Sequence, residues 1–387
     1  MENRIRPVWA EINLDYLAHN IREIRRISQS KYVMAVVKAD AYGHGAVDVA
    51  RVLLANGADR LAVAVLDEAL ELRHNGFICP IMILGYTPKD QVEEVVENDL
   101  QTAVISYDYA EALSRESQKR GKVSKVHIKV DTGMTRIGYV PKESSIEEIE
   151  KISKLPNIEI EGVFSHFANA DDGNKDYANE QVSKFNWFLN KFQEKNIKVN
   201  LRHVGNSATI MDLPEYHFDM VRPGIILYGY YPSQEVMKHK ISLKPVMTLK
   251  SKIVFIKEVE KGTTIGYGRK FTCERKSIIA TLPLGYADGY TRMLSGKANV
   301  IVNDKVVSIV GNICMDQCMI DITDIDDAQV GDEVILIGES GDNKLNADYL
   351  GNQLGTISYE IVCMVGKRVP RVYIEDGKVV KIRHFIH

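Results

Sequence analysis

At 387 residues the chain is too long for one small core and implies one large domain plus a smaller one. Its 49 basic and 52 acidic side chains are interspersed and leave a net charge of −3, so no footprint for nucleic acid or an anionic membrane emerges. No apolar run approaches the ~18 residues of a membrane span, and the Met1–Trp9 start lacks a signal peptide's apolar core. Five scattered cysteines suggest reduced thiols in a cytoplasm, and Cys314-x-x-x-Cys318 reads as strand residues rather than a metal site.

In chain order, Val8–Leu14 is a strand-like run that lies outside the rhythm after it and is expected to join the second domain. From there, short apolar runs fall at Tyr32–Val37, Leu61–Val65, Ile81–Leu84, Gln101–Ile105, Lys125–Val130, Ile158–Phe164, Asn200–Val204 and Phe218–Val221. Helix-like segments with apolar residues three and four apart separate most of them: Ala46–Ala55, Asp67–His74, Lys89–Glu97, Tyr107–Arg120, Ser145–Leu155 and Asp176–Lys195. Eight such units predict an α/β fold, a (β/α)8 TIM-like barrel over residues 1–242. After Ser242 the texture changes. Runs such as Val246–Val259, Ser277–Leu282 and Glu333–Ile337 are joined by Gly/Asp turns, which predicts a smaller, mainly β domain over 243–387.

Lys38 ends the first barrel strand in Val36-Val37-Lys38-Ala39-Asp40-Ala41-Tyr42-Gly43-His44-Gly45. A buried ammonium costs several kcal/mol unless it is paired or used, and burial makes the amine a nucleophile toward carbonyl compounds. Tyr42, Gly43 and Gly45 then offer a hydroxyl and close backbone approach to an anionic cofactor. Barrel enzymes place their chemistry at the C-terminal ends of strands, and four more such ends carry unusual polar residues. Arg136 follows strand five, His166 closes strand six, His203, Asn206 and Ser207 follow strand seven, and Arg222 follows strand eight. The loops after strands seven and eight are the usual phosphate site of a barrel, and here they present the Ser207 hydroxyl with the Gly224 and Ile225 amides. A phosphate pocket near a carbonyl-reactive lysine points to pyridoxal 5'-phosphate. A permanently cationic Arg222 facing the pyridine nitrogen would disfavour a second proton there, which suits returning a proton to Cα.

These stretches resemble the alanine racemases, pyridoxal-phosphate enzymes of fold type III. The resemblance rests on Trp9–Leu14, Val37–Gly45, His127–Met134, His203–Ser207, Arg222–Gly224, Gly266–Arg269, Gly311–Asp316 and Gly351–Glu360, and runs nearly end to end. It implies that Lys38 holds the cofactor aldehyde and is one catalytic base, with Tyr267 the base on the opposite face. It also implies cofactor contacts from Tyr42, His166, Asn206, Ser207, Arg222, Gly224, Ile225 and Tyr359. Arg136 and the Met315 amide would hold the carboxylate of alanine. The resemblance further implies a cytoplasmic homodimer with Tyr267 and Met315 supplied in trans, making D-alanine for cell-wall peptidoglycan.

Two bases also follow from the chemistry, since racemisation takes a proton from one face of a planar carbon and delivers one to the other. Gly266 and Gly268 would let a loop present the Tyr267 hydroxyl closely. Tyr286, Arg292, Asp171 and Tyr359 are candidates for a narrow mouth that admits small amino acids, although each reads equally well as a solvated rim residue. Lys129 should face inward toward Arg136, either as the carbamate found in relatives or as an amine neutralised by Asp131. Thr135 stands where the family often has glycine. Serine or another small amino acid as substrate is an alternative reading, as is a fold type III decarboxylase. The decarboxylase would face the ring nitrogen with a carboxylate, against which Arg222 argues; a lone-barrel cofactor carrier would lack the domain bearing Tyr267.

Overall fold

The computed structural model describes residues 6–384. They divide into two compact units, one of residues 17–41 and 46–243, the other of the described residues 6–16, 42–45 and 244–384.

The first unit is the barrel. Its strands are β2 (Tyr32–Val36), β3 (Arg60–Val63), β4 (Ile81–Ile83), β5 (Gln101–Val104), β6 (Ser124–Lys129), β7 (Ile158–Phe164), β8 (Leu201–His203) and β9 (Met220–Val221), numbered after β1 (Val8–Asn13) of the other unit. They form one eight-stranded sheet in the order β8-β7-β6-β5-β4-β3-β2-β9, every ladder parallel. Two backbone bonds join the outer strands and close the ring: Asp219 N–H to the Arg202 carbonyl at 3.1 Å and Arg222 N–H to the Gly205 carbonyl at 2.9 Å. Strands covered on both faces need apolar side chains throughout, and β2 and β4 satisfy this with Val33, Met34, Ala35, Ile81, Met82 and Ile83 all at zero exposure. The helices between strands match the predicted segments to within one or two residues, except that Lys89–Gln91 is a 3₁₀ turn ahead of Val92–Glu97. One helix was not anticipated. Leu14–Ile27 buries Leu17, Ile21 and Ile24, with Asp15 in its first turn and Arg25 and Arg26 in its last, as the helix dipole favours.

The second unit is mainly β. Its large sheet runs β11 (Phe255–Val259), β14 (Ser277–Leu282), β17 (Cys318–Asp321), β16 (Lys305–Val310), β15 (Asn299–Val302), β18 (Glu333–Ser340), β10 (Met247–Lys252), β1, β20 (Arg371–Glu375) and β21 (Lys378–Arg383), with β19 (Asn343–Leu345) paired to β18, while β12 (Thr264–Ile265) and β13 (Phe271–Thr272) pair apart from it. Thus Val8–Asn13 lies between β10 and β20, with Ala10 opposite Leu249 on one side and Arg371 on the other. The expected Val246–Val259 strand is broken in two. Ile253 N–H bonds the Asp332 carbonyl and Val254 N–H the Thr281 carbonyl, so the chain changes partners there and leaves Phe255 exposed. Cys318 lies in β17 and is buried, but Cys314 precedes that strand in a loop, which corrects its reading as a strand residue.

The glycines after Lys38 also work differently from expectation. A side chain at Gly43 would sit 2.6 Å from the Val362 carbonyl oxygen, and one at Gly45 would collide with the Tyr373 hydroxyl. Arg371, buried in the same unit, donates to the carbonyls of Gly43, Val365, Gly366 and Val369. The close approach these glycines permit is to their own unit's backbone and tyrosine.

Candidate active site

The barrel presents its chemistry where its strands end. Lys38 lies beyond the end of β2, separated from it by Val37, and is half-buried, not sealed in the core as a buried-amine reading requires. Behind it the chain makes a left-handed turn on side-chain-bearing residues, with φ of +53° at Ala39, +53° at Asp40 and +54° at Ala41. Each such residue costs about 1–2 kcal/mol. Local bonds oppose that cost: Ala41 N–H to the Val37 carbonyl at 2.9 Å, Ala46 N–H to Asp40 Oδ1 at 2.8 Å, and Ala39 N–H to Glu68 Oε1 at 2.6 Å. Strain kept beside one lysine is a common mark of a working site.

After β6, the Asp131 carboxylate accepts from the amides of Gly133 at 2.9 Å, Thr135 at 3.0 Å and Arg136 at 3.2 Å. This nest shapes the loop that carries Arg136, whose side chain is exposed, and it holds Thr135 at φ +55°. With its carboxylate so engaged, Asp131 makes no ion pair with Lys129. Lys129 is buried instead, its Nζ donating to the Val130 carbonyl at 2.9 Å, and burial followed by the nearby Arg222 charge pushes it down to about 7.

Arg222 is the centre of the barrel's polar interior. Its Nη1 donates to His203 Nδ1 and to the His203 carbonyl, both at 2.9 Å. Its Nη2 donates to the Ser165 carbonyl at 2.8 Å and reaches the Val204 carbonyl and His166 Nδ1 at 3.3 Å. Among the described residues, none accepts from its Nε–H. The Phe164 ring lies 5.6 Å from the guanidinium carbon. Burial lowers Arg222 to about 9, which leaves it cationic at neutral pH. Burial, then the Arg222 charge, holds His166 and His203 well below the usual histidine range, so both are neutral.

At the next two strand ends, Asn206 Oδ1 accepts from Thr209 N–H at 3.1 Å and caps the short helix Ser207–Asp212. Gly224 N–H donates to Ser207 Oγ at 3.0 Å, which leaves the Ser207 hydroxyl its own proton to give. Ile225 follows, fully buried.

The remaining predicted residues belong to the second unit. Tyr42 and Tyr359 face each other with ring centroids 6.2 Å apart, and burial raises the Tyr42 phenol well above its ordinary value. Tyr267 sits between Gly266 at φ +70° and Gly268 at φ +72°, and its carbonyl accepts from Asn312 Nδ2 at 2.6 Å. Met315 is on the adjoining loop, which is stitched to the Tyr286 turn by Tyr286 N–H to the Cys314 carbonyl and Ala287 N–H to the Met315 carbonyl, both at 3.0 Å. Both side chains are exposed, Tyr267 at 69% and Met315 at 54%.

Two motif-bearing halves in this order are also what the wider comparison finds. Residues 12–232 match the alanine racemase N-terminal domain and residues 246–373 the alanine racemase C-terminal domain. The chain belongs to the alanine racemase family. It is 60% identical over 386 residues to alanine racemase 1 of Clostridium acetobutylicum, covering 100% of both chains. It superposes on the alanine racemase of Clostridium difficile 630 with a TM-score of 0.96 at 44% identity, with 100% of each chain covered. The alanine racemase of Bacillus anthracis with bound L-Ala-P gives a TM-score of 0.93 at 36% identity, over 99% of each chain. Alanine racemases use pyridoxal 5'-phosphate, and the barrel's donors fit that group. A cationic Nε–H without an acceptor suits an unprotonated ring nitrogen, and a hydroxyl beside Gly224 suits a phosphate.

Four residues of the barrel interior escaped the sequence reading as functional candidates: His127, Glu161, Arg60 and Gln101. A signal for them existed. His127 and Lys129 alternate on β6 about the apolar Ile128, so they share one face of the strand and both are buried.

Proposed function

We propose that this chain interconverts L-alanine and D-alanine with Lys38 and Tyr267 as the bases on opposite faces of Cα. The observation that carries the reading is Arg222, buried and cationic, flanked by neutral imidazoles and keeping one N–H without an acceptor. When bound, pyridoxal phosphate supplies the electron withdrawal that acidifies the substrate Cα–H. Lys38 would hold its aldehyde and would move a proton at the substrate Cα on one face. Tyr267 moves the proton on the other. Arg222 would donate to the ring nitrogen and, as a cation, would discourage its protonation, which favours prompt return of a proton to Cα. Ser207 and the Gly224 and Ile225 amides, with Tyr42 and Tyr359, hold the phosphate. Arg136 pairs with the substrate carboxylate and the Met315 amide orients it. A second copy of the chain supplies Tyr267 and Met315, in keeping with the exposure of both side chains.

Incubating the protein with L-alanine in deuterium oxide tests the reading directly. Loss of optical rotation together with deuterium at Cα is expected, and borohydride should fix the cofactor to the peptide containing Lys38. Exchange without inversion, carbon dioxide release, or label on another lysine would overturn it.

A further inference from the structure

The barrel holds a row of buried polar groups that extends well below its mouth. Arg222 Nη1 donates to His203 Nδ1 at 2.9 Å, and a guanidinium has no acceptor, so Nδ1 is the bare nitrogen of His203 and Nε2 carries the hydrogen. His203 Nε2 lies 2.9 Å from His127 Nδ1, which must therefore accept. His127 Nε2–H is then the donor to Glu161 Oε2 at 3.2 Å. Only one assignment satisfies all three contacts, and it runs donor to acceptor without a break from Arg222 to the carboxylate.

The ring planes are fixed as well. Phe164 stacks on His203 with centroids 5.0 Å apart and planes 3° apart, and the two imidazoles meet edge to face at 5.0 Å and 79°. Both are completely buried, and burial holds both below the ordinary histidine value, so each carries one proton. Glu161 is anchored in turn. Arg60 Nη1 and Nη2 both bond its Oε1 at 3.1 Å, Nη1 also reaches Oε2 at 3.2 Å, and Gln101 Nε2 donates to Oε2. Burial opposes its charge, but His127 and Arg60 outweigh that and hold it down at about 2. Arg60 and Gln101 open β3 and β5, so the row reaches from the N-terminal end of the barrel to its catalytic end.

We propose that Glu161 is a positioning residue for Arg222, acting through neutral His127 and His203 to orient the guanidinium and to set how strongly its N–H groups donate toward the cofactor's ring nitrogen. The inference rests on Arg222 being the ring-nitrogen partner. Packing alone would require only that these groups be satisfied. The inferred role requires also that the charge at Glu161 be felt at the ring nitrogen.

Nitrogen-15 spectra of the histidine rings in the wild-type holoenzyme test the chain without any substitution. His127 and His203 should each show a protonated Nε2 and a bare Nδ1 between about pH 6 and pH 9. A protonated Nδ1 on either ring overturns the proposal. The second measurement follows the ring-nitrogen resonance of nitrogen-15-labelled pyridoxal phosphate bound to four variants. Arg222→Gln should displace it most, Glu161→Gln and His127→Gln by less, and the surface change Glu180→Gln not at all. Racemisation kcat of Glu161→Gln should fall on the order of tenfold with KM held, as when an outer partner of a ligand is lost. If Arg222→Gln leaves the resonance unmoved, the ring-nitrogen reading itself fails. If Arg222→Gln moves it and neither Glu161→Gln nor His127→Gln does, that reading stands and the positioning role of Glu161 is overturned.

Discussion

The two units hold their candidate residues in opposite ways. In the barrel, Arg222, His203, His127 and Glu161 are buried, and each answers a neighbour's donor or acceptor. In the second unit, Tyr267 and Met315 stand exposed on loops held by backbone bonds and by glycines at positive φ. Charge in a dry interior demands that every lone pair be satisfied, so the barrel's half of the chemistry is inseparable from its stability. A presented tyrosine makes no such demand, so its removal should cost function and little else.

Tyr267 offers the largest effect. Tyr267→Phe should lower racemisation by roughly 10²–10⁴, the usual worth of a placed acid–base group, with cofactor content unchanged. Its melting temperature should stay within the small range of surface substitutions. A marked loss of stability would make Tyr267 a packing residue and dissolve the contrast. Arg222→Leu is the reverse test. It strips the donors from His203 Nδ1 and from the Ser165, His203 and Val204 carbonyls, and about 3–5 kcal/mol of stability should go with the activity, read by urea denaturation. Wild-type stability in that variant would show the network to be dispensable to the fold.

Lys129 sharpens the comparison through pH. Its folded value of about 7 lies below the ordinary 10.5, so between those values the unfolded chain binds more protons than the folded one. Stability from this residue therefore rises with pH across that window, by at most about 1.4 kcal/mol per pH unit, and is flat below it. In buffer free of carbon dioxide, Lys129→Met should flatten that slope and raise stability at neutral pH. A neutral amine is also the form that adds carbon dioxide. Carbon-13 bicarbonate should give a bound carbamate resonance that Lys129→Met lacks, and an unchanged spectrum would leave Lys129 a plain amine.

Subunit mixing probes the presented half. Lys38→Ala and Tyr267→Ala proteins, dissociated and reassembled together, should recover roughly a quarter of wild-type activity, since half the dimers are mixed and each holds one intact site of two. A dead mixture with proven exchange would place Tyr267 within its own chain's site. The smallest effect is expected at Thr135. At φ +55° a β-branched residue is strained, and Thr135→Gly should stabilise the protein by roughly 0.5–1 kcal/mol, net of glycine's greater unfolded entropy. Destabilisation would mean that the Asp131 nest depends on the threonine.

Much of this architecture is legible along the chain. Apolar runs of four to seven residues separated by three- and four-residue periodicity mark the barrel, and Gly/Asp turns mark the β unit, because burial on both faces of a strand or on one face of a helix is a local requirement. Lys38, Arg136, His166, Ser207 and Arg222 stood out for the same reason, as polar residues at the ends of apolar strands. Other features lay beyond local pattern. The left-handed conformation begins on Ala39, Asp40 and Ala41, ahead of the glycines that also adopt it, since bonds from Ala46 and Glu68 oppose its cost. The Leu14–Ile27 helix was hidden by its charged residues, although its buried stripe follows the helical period.

Sequence by itself determined which residues seek the interior, where strands end, and which end carries an amine, a guanidinium or a hydroxyl, because these depend on side-chain chemistry and short-range sterics. Only the tertiary structure decided which inward groups meet. His127 and His203 are 76 residues apart, and Arg60 and Glu161 are 101 apart. Their contacts exist because a closed ring of parallel strands turns one face of each inward, and no local period records which strand lies opposite which. The direction of the hydrogens along that row is decided there as well, by a guanidinium that can only donate and a carboxylate that can only accept.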